Sequence, residues 1–325
     1  IGLGVTPPPG CEVRDATSAD GAALETIELG SPIETHGGAK IIDRSGEIID
    51  RYKMMNDAIV VIAFVDGHPV ACSGGAVKSA VVNGRETRLG YLGHSRVLPD
   101  YQRQGIHSLL LARVGESLNP KVDAVYGILD PKNEKMKKGL ADKMPRPYAW
   151  RVVIDCNAVQ VDTPAVETVT AEQSDNIAML LNRSHERDLF WSPYSVESLR
   201  ERLTRVPHRY GWDRLLRTEH SMVGLWGGQE RWSFSDGTGT RVRGQVLDYA
   251  VLPGYEKEFE VLLRKTAYRA LGEGIEELSV MGSDGICGEE VIKSLGTRIE
   301  HYEVQGTRFE FDNDNQPIWI DQAYI

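Results

Sequence analysis

Val97-Leu98-Pro99-Asp100-Tyr101 returns as Val251-Leu252-Pro253-Gly254-Tyr255, 154 residues further on (251 − 97). Upstream, Glu12–Asp20 and Glu167–Asp175 both read as a strand running into a capped helix, at an offset of 155 (167 − 12). Downstream, the apolar run Val122–Leu129 has a counterpart in Ile275–Met281. Self-similarity at one domain length means two copies of one fold rather than a solenoid. The 325 residues suit two domains of ordinary size. The chain divides into a lead-in at 1–10, a first domain at 11–156, a polar linker at 157–164 and a second domain at 165–325.

The first copy carries a joint with chemistry in it. Leu89–Leu98 reads as a strand, which Pro99 stops because it has no N–H for the ladder. A polar loop follows, Asp100-Tyr101-Gln102-Arg103-Gln104-Gly105, and then a helix from Ile106 to about Leu118. The first turn of a helix has N–H groups without intrahelical partners and carries partial positive charge. A glycine there lets a ligand approach the backbone, and Arg103 adds a full charge. Strand, glycine loop and helix start together make a cradle for a phosphate or pyrophosphate. No Gly-Lys-Ser/Thr follows the glycine, so the loop is not a Walker loop, and it lacks the GxGxxG dinucleotide pattern.

The spacing Val97-Leu98-Pro99-x-Tyr101-Gln102-x-x-Gly105-Ile106 resembles the pyrophosphate motif of the GNAT superfamily of acyl-CoA-dependent N-acetyltransferases, Gln/Arg-x-x-Gly-x-Gly/Ala. His107 stands where that family has Gly or Ala. The resemblance covers about residues 11–156 and implies acetyl-CoA or another acyl-CoA as co-substrate, with no metal. It implies that the N–H groups of Gln104, Gly105, Ile106, His107 and Ser108 hold the pyrophosphate, with Gln102 and Arg103 beside it. It assigns the backbone of Val97 and Leu98 to the pantetheine arm and suggests the Val97 N–H as an oxyanion donor. Asn133 sits where the family has an Asn on the CoA arm, and it reads equally well as a helix N-cap.

The order of elements agrees with that likeness. A strand and a helix lie in 11–27, with Ser18 as N-cap, and Leu29–Tyr52 reads as a broken helix pair. Ala58–Val65 and Val70–Val82 are strands joined at Asp66-Gly67, and Asn83-Gly84 is the next hairpin turn. A buried strand at Val122–Leu129, a short helix from Asn133 to about Met144 and a final strand at Ala149–Cys156 complete the first copy. The fold class is α/β, of mixed α+β type. It has two tandem domains, each a mostly antiparallel twisted sheet flanked by helices.

In the second copy the loop reads Glu256-Lys257-Glu258-Phe259-Glu260-Val261. Phe259 replaces the glycine and blocks backbone approach. Glutamates at the helix start suit its dipole but repel a pyrophosphate, by roughly 1 kcal/mol per charge pair at 4 Å in water and about 4 at an effective dielectric of 20. The second domain is therefore expected to bind no CoA and to serve as scaffold and acceptor wall.

Acyl transfer to an amine requires the thioester held in place, a deprotonated amine and a stabilised oxyanion. The family's carboxylate lies six or four residues before the Val position, and here those positions hold Tyr91 and Gly93. By strand alternation Tyr91, Gly93, Ser95 and Val97 share a face and His94 points the other way. Tyr91 either orders a water or hydrogen-bonds the amine, or it is a packed aromatic. His94 is a second candidate beside its reading as a packed histidine. The family's Tyr acid position, seven after Asn133, is Leu140, which leaves Tyr148 as the nearest substitute. A CoA thiol can also leave as thiolate unaided. Acceptor contacts are expected at Glu34 and His36 and among the aromatics Trp191, Tyr194, Tyr210, Trp212, Trp226 and Trp232, with Trp191 and Trp226 foremost.

Composition bounds the partners. A net charge of −10 argues against nucleic acid and weakly favours a cationic acceptor. No apolar run approaches the roughly 18 residues that span a bilayer, and the opening IGLGVTPPPG has no secretory pattern. Cys11, Cys72, Cys156 and Cys287 are far apart and form no CxxC, so reduced cysteines in a cytoplasmic protein are expected. No Cys or Ser near the loop has a nucleophile context, which favours direct attack by a small-molecule amine. Two rivals use the same CoA site: an acyl-CoA decarboxylase or S-acyltransferase, and a CoA-responsive binding protein without catalysis.

Overall fold

The computed structural model describes residues 7–35, 38–44, 46–131, 148–161, 167–234, 237–307 and 316–321. The first half contains β1 (Cys11–Asp15), α1 (Gly21–Gly30), β2 (Ile33–Thr35), β3 (Gly38–Asp43), α2 (Ile48–Met54), β4 (Ile59–Val65), β5 (His68–Val82), β6 (Arg85–Val97), α3 (Ile106–Leu118), β7 (Ala124–Leu129) and β8 (Tyr148–Asp155). The second half contains β9 (Glu167–Thr168), α4 (Ser174–Ser184), α5 (Val196–Arg205), β10 (Leu215–Arg217), β11 (Ser221–Leu225), β12 (Glu230–Phe234), β13 (Arg241–Val251), α6 (Glu256–Gly272), β14 (Glu277–Ser283), α7 (Glu289–Leu295) and β15 (Arg298–Thr307).

Strands of both halves join in one mixed sheet, in the order β1-β4-β5-β6-β7-β15-β8-β14-β13-β11-β10-β9. β4 is apolar throughout because both of its faces are covered. Val61, Ala63 and Val65 pack under α3 with Ile106, Leu110, Val114 and Leu118. Ile62, from the other face, joins Leu24 and Ile27 of α1. Each such side chain contributes roughly 1.5–3 kcal/mol on burial. The two hairpin signals form turns: Asp66-Gly67 and Asn83-Gly84 all have positive φ, as a tight hairpin turn of the primed type requires.

The strand at Tyr148–Asp155 does more than close the first half. It lies between β15 and β14, and β15 in turn pairs with β7, so each half lends a strand to the other. Leu29–Tyr52 is also not a helix pair. It folds as the hairpin β2–β3 followed by α2, and β3 pairs with β12 of the second half from Asp43↔Arg231 to Lys40↔Phe234. The partner strand is nearly 190 residues away, so local sequence does not announce it.

The entry to α1 is a single 3-10 turn, Ser18–Asp20. Its N-cap is Thr17 rather than Ser18, with Asp20 answering back in a capping box. The second half repeats the device at Thr170 and Gln173, an offset of 153 (170 − 17). All four cysteines are free thiols.

Candidate acyl-CoA site

Gly105 is the N-cap of α3, at φ 78°, ψ −5°, a left-handed conformation that glycine adopts without strain. No side chain caps this helix and no acidic residue occupies its first turn. The first α-helical bond of the turn is Leu109 N–H to Gly105 O, at 3.2 Å. Among the described residues, the amides of Gln104, Gly105, Ile106, His107 and Ser108 find no acceptor. Arg103, itself at φ 63°, is exposed beside them. Burial lowers the pKa of the His107 imidazole, which favours its neutral form. The two glutamines play a different part from the one expected. Gln102 spends its amide on Pro99 O (3.2 Å) and its side chain on Val97 O (3.3 Å). Gln104 turns its side chain to Asp100 O (2.9 Å). Both brace the loop, and of the pair only the Gln104 amide is left for an anion.

Behind the loop the sheet opens. β6 and β7 run parallel for three residue pairs, Leu89↔Ala124, Gly90↔Val125 and Tyr91↔Tyr126, and then part. From Leu92 to Val97 the β7-facing edge of β6 has no strand partner among the described residues, while β7 continues against β15. Leu98 gives its N–H to Val70 O on β5 (2.9 Å). Amides alternate along a strand, so the Val97 N–H points the opposite way, into the gap.

The second half contains the same opening, closed. β13 and β14 are parallel from Arg243↔Glu277 to Gln245↔Ser279 and then part. Val251, the counterpart of Val97, gives its N–H to Ser184 Oγ (3.0 Å), and its carbonyl accepts Ser184 Oγ (3.1 Å) and Cys287 Sγ (2.9 Å). The next carbonyl along that edge, Tyr249 O, accepts His185 Nε2 (2.7 Å), and Trp319 packs on both rings. Just before the helix Glu256 accepts the Gly254 N–H (3.0 Å), no side chain caps the helix itself, Glu256 and Glu258 lie in its first turn, and Phe259 is wholly buried.

A β-bulge reverses part of the expected strand alternation. Gly74 pairs with Gly93, but Cys72 pairs with Arg96, so two residues of β6 oppose one of β5. His94 sits in the bulge at φ 53°. Its ring lies 6.2 Å from Tyr91 and 5.5 Å from Tyr52, so it shares the Tyr91 face. Val97, past the bulge, packs on the α3 side instead. The second half keeps a bulge at the matching place, where Gly224↔Asp248 is followed by Leu225↔Val246.

Tyr91 is buried, and burial raises its phenol pKa, so the hydroxyl stays protonated. A Cβ on Gly93 would lie 2.0 Å from that hydroxyl, so the glycine makes its space. Trp226 is 1 % exposed and gives its N–H to Glu47 (3.2 Å); it is core, with no face toward a ligand. Trp191 lines a depression of about 400 Å³ with Val81, Met179 and Asn182, at the end of β5 far from the loop. Strands rise about 3.3 Å per residue, which puts Val81 roughly 30 Å from Ala71 beside Val97. Glu34 lies on β2 and Tyr148 opens β8, opposite Glu303. His36 and Asn133 lie outside the described residues.

Solved structures share this architecture. Saccharomyces cerevisiae N-myristoyltransferase with bound myristoyl-CoA superposes with a TM-score of 0.70 at 9 % identity, over 99 % of this chain and 82 % of its own. A Pyrococcus horikoshii protein assigned as an acetyltransferase gives 0.57 at 15 %, over 98 % and 97 %. The chain has the GNAT fold, in tandem. The GCN5-related glucosamine N-acetyltransferase region of a fungal β-N-acetylglucosaminidase also matches it, at 0.57 and 11 %, over 94 % of this chain and 38 % of that one. No family model and no curated protein sequence matches the chain. Among the described residues no helix is long and apolar enough to cross a membrane, and no group of three His, Cys, Asp or Glu is placed to hold a metal ion.

Three residues near this GNAT opening escaped sequence reasoning. Glu28 and Ser31 lie on and just beyond α1, both buried, with Glu28 Oε2 and Ser31 Oγ lacking any partner among the described residues. Glu28 stands four residues after Leu24, on the inner stripe of α1, and that spacing was a usable signal. Lys78 is 4 % exposed on β5, gives a hydrogen bond to Phe190 O (2.9 Å) and lies 5.7 Å from the Tyr126 ring centre. Burial lowers its pKa to about 8. A lysine inside the apolar run Val70–Val82 was its signal.

Proposed function

We propose that the chain moves an acyl group from acyl-CoA to the amine of a small molecule, at the first-half opening. One observation carries the reading. Of two matching openings, one has its strand edge bonded by Ser184, His185 and Cys287 and two glutamates in the first turn of its helix, and in the other the Val97 N–H has no partner among the described residues and the helix start carries no acid.

The amides of Gln104–Ser108 suit a pyrophosphate, with Arg103 adding charge. The open edge of β6 suits a pantetheine arm. The thioester carbonyl then lies where the Val97 N–H can stabilise the oxyanion. The amine nitrogen attacks the carbonyl carbon, the C–N bond forms, and the C–S bond breaks. The amine gives up one proton, and the departing thiolate gains one. Tyr91, held protonated, can hydrogen-bond the reacting groups but is no anionic base. His94 stands on its face as a proton acceptor.

Calorimetric titration with acetyl-CoA and with myristoyl-CoA, followed by thiol release over a panel of amines, tests this. One site and amine-dependent thiol release are expected. No binding of either thioester at millimolar concentration refutes it, and malonyl-CoA turnover without an amine points to a decarboxylase.

A further inference from the structure

Two departures from ordinary chemistry meet near the closed end of the first-half opening. Lys78 of β5 is 4 % exposed, and Phe190, in the second-half segment between α4 and α5, is wholly buried at φ 65°. A bulky side chain in the left-handed region is strained and persists only where its surroundings hold it. The two are bonded to each other, since Lys78 Nζ donates to Phe190 O (2.9 Å). The Phe190 N–H goes to Val81 O (3.2 Å) and the Val81 N–H to Trp191 O (2.9 Å), so the end of β5 grips the segment around the ring. The 316–321 segment holds it too, with Leu189 N–H on Pro317 O (2.8 Å) and Trp319 N–H on Leu189 O (2.9 Å). The ammonium is unfavourable where it stands. Burial outweighs the attraction of Asp321, Arg202 adds repulsion, and the Lys78 pKa is lowered. A breach of local rules of this kind is expected at functional sites.

The held ring reaches the site in two contacts. Phe190 lies 5.0 Å from the Tyr126 ring centre, and the Lys78 ammonium 5.7 Å from the same centre, within cation–π range. Tyr126 lies 5.5 Å from Tyr91. Tyr91↔Tyr126 is the last pair before β6 and β7 part. The Tyr91 hydroxyl stands over Gly93 in the open stretch, and its ring lies 6.2 Å from His94. Tyr91 thus rests on Tyr126, and Tyr126 rests on Lys78 and Phe190, one from each half.

We propose that Lys78 is a positioning residue for acyl transfer: tied to Phe190, it fixes the Tyr126 ring and, through it, Tyr91. This rests on the acyl-transfer reading above and gives the second half a part in the chemistry of the first. Packed rings leave little slack, and a misplacement of about 1 Å at reacting groups can cost about 10²-fold in rate.

The test compares wild type with Lys78→Met, which loses the donor and the charge. Thiol release from acetyl-CoA is followed with the most reactive amine of the panel, beside melting curves. kcat should fall about tenfold or more, with KM for acetyl-CoA within about twofold and a melting temperature no lower than that of wild type at pH 7. Phe190→Gly removes the ring and keeps the backbone, since glycine takes φ 65° without strain, and its kcat should fall with the same KM. Unchanged kcat, or kcat, KM and melting temperature worsening together in Lys78→Met, overturns the proposal. A second readout needs no turnover. The Tyr91 and His94 ring signals in NMR spectra, assigned through Tyr91→Phe and His94→Asn, should shift in Lys78→Met, and signals that stay in place overturn the proposal whatever the kinetics. If Lys78→Met fails to fold, Phe190→Gly decides by both readouts. Failure of the acyl-transfer reading looks different: wild type releases no thiol with any amine, while the ring signals still shift.

Discussion

Gly105→Asp should abolish CoA binding while the fold persists, and its size can be worked out. Gly105 is left-handed, so any side chain there costs about 1 kcal/mol, and aspartate tolerates the region better than most. The new carboxylate would stand about 5 Å from a pyrophosphate seated on the α3 amides. At an effective dielectric of 20 that repulsion is about 3 kcal/mol per charge pair. The strain is present with and without CoA and lowers stability alone, so the repulsion predicts an affinity loss of about 10², since each 1.4 kcal/mol is tenfold. Gly105→Ala isolates the backbone and Cβ part and should lose about tenfold or less. Calorimetric titration with CoA gives both numbers, and thermal melting confirms that both variants are folded. The gap between Asp and Ala should shrink with added salt, because the Debye length is about 10 Å at 0.1 M and the loop is exposed. If folded Gly105→Asp binds CoA as well as Gly105→Ala does, the phosphate is not held on these amides. The converse change, Glu256→Gln with Glu258→Gln, should leave the stoichiometry at one, since Ser184 and His185 still occupy the second opening.

Three further outcomes are expected. Gly93→Ala should cost about 1–3 kcal/mol through its clash with Tyr91, and Tyr91→Leu should recover part of it. A double-mutant cycle by urea denaturation measures this, and additive losses refute the contact. Lys78→Met should stabilise the protein near pH 7. The folded pKa of about 8 lies below the ordinary 10.5, so the buried lysine's burden of about 3 kcal/mol is complete below pH 8 and fades as pH rises to 10.5. Melting curves across that window should converge, and a constant difference would refute the assignment. Glu300 has the opposite sense: Arg151, Arg243 and Arg298 outweigh burial and hold its pKa near 2, below the ordinary 4.5. Its contribution, about 3 kcal/mol at most, is complete above pH 4.5 and is lost as pH falls through 2, so Glu300→Gln should flatten that part of the acid denaturation curve.

What was readable in the sequence was local. The α3 joint, the Asp66-Gly67 and Asn83-Gly84 turns and the doubled pentapeptide each depend on residues within a few positions of one another, and each formed as read. The exchange of β8 and β15 between halves depends on pairings such as Val304↔Ile128, and no local pattern encodes a partner so distant. The arm β2–β3 was missed for the same reason, since β12 completes it. The bulge is a subtler case. One extra residue at Gly93–Arg96 moved His94 onto the Tyr91 face and Val97 off it, so an argument from alternation fails from that residue onward. Tryptophans mislead in another way: Trp226 finds its hydrogen bond inside the core at Glu47 and never needs the surface.

The duplicated opening turns an observation about one site into a comparison. Where two parallel strands part, each exposes N–H and C=O groups that a closed sheet would pair, and buried groups of that kind are nearly always bonded. The second half meets the requirement with three side chains, Ser184, His185 and Cys287, and Trp319 of the 316–321 segment packs on the rings of His185 and Tyr249. The amide of Val251 shows which way such an amide faces and how readily a hydroxyl takes it. The amide of Val97 has the same neighbours on its β5 side, through Leu98 and Val70, and no Ser184 on the other. The helix starts differ in charge: Glu256 and Glu258 stand in the first turn of α6, and no acidic residue stands in the first turn of α3. Among the described residues the strand donor is thus unpartnered in one half and bonded in the other, and the helix start is free of acids in the first of these halves and carries two in the second. A ligand that needs both at once must be long, with an anion at one end and hydrogen-bonding amide groups along its length, and an acyl-CoA has that chemistry from diphosphate to thioester.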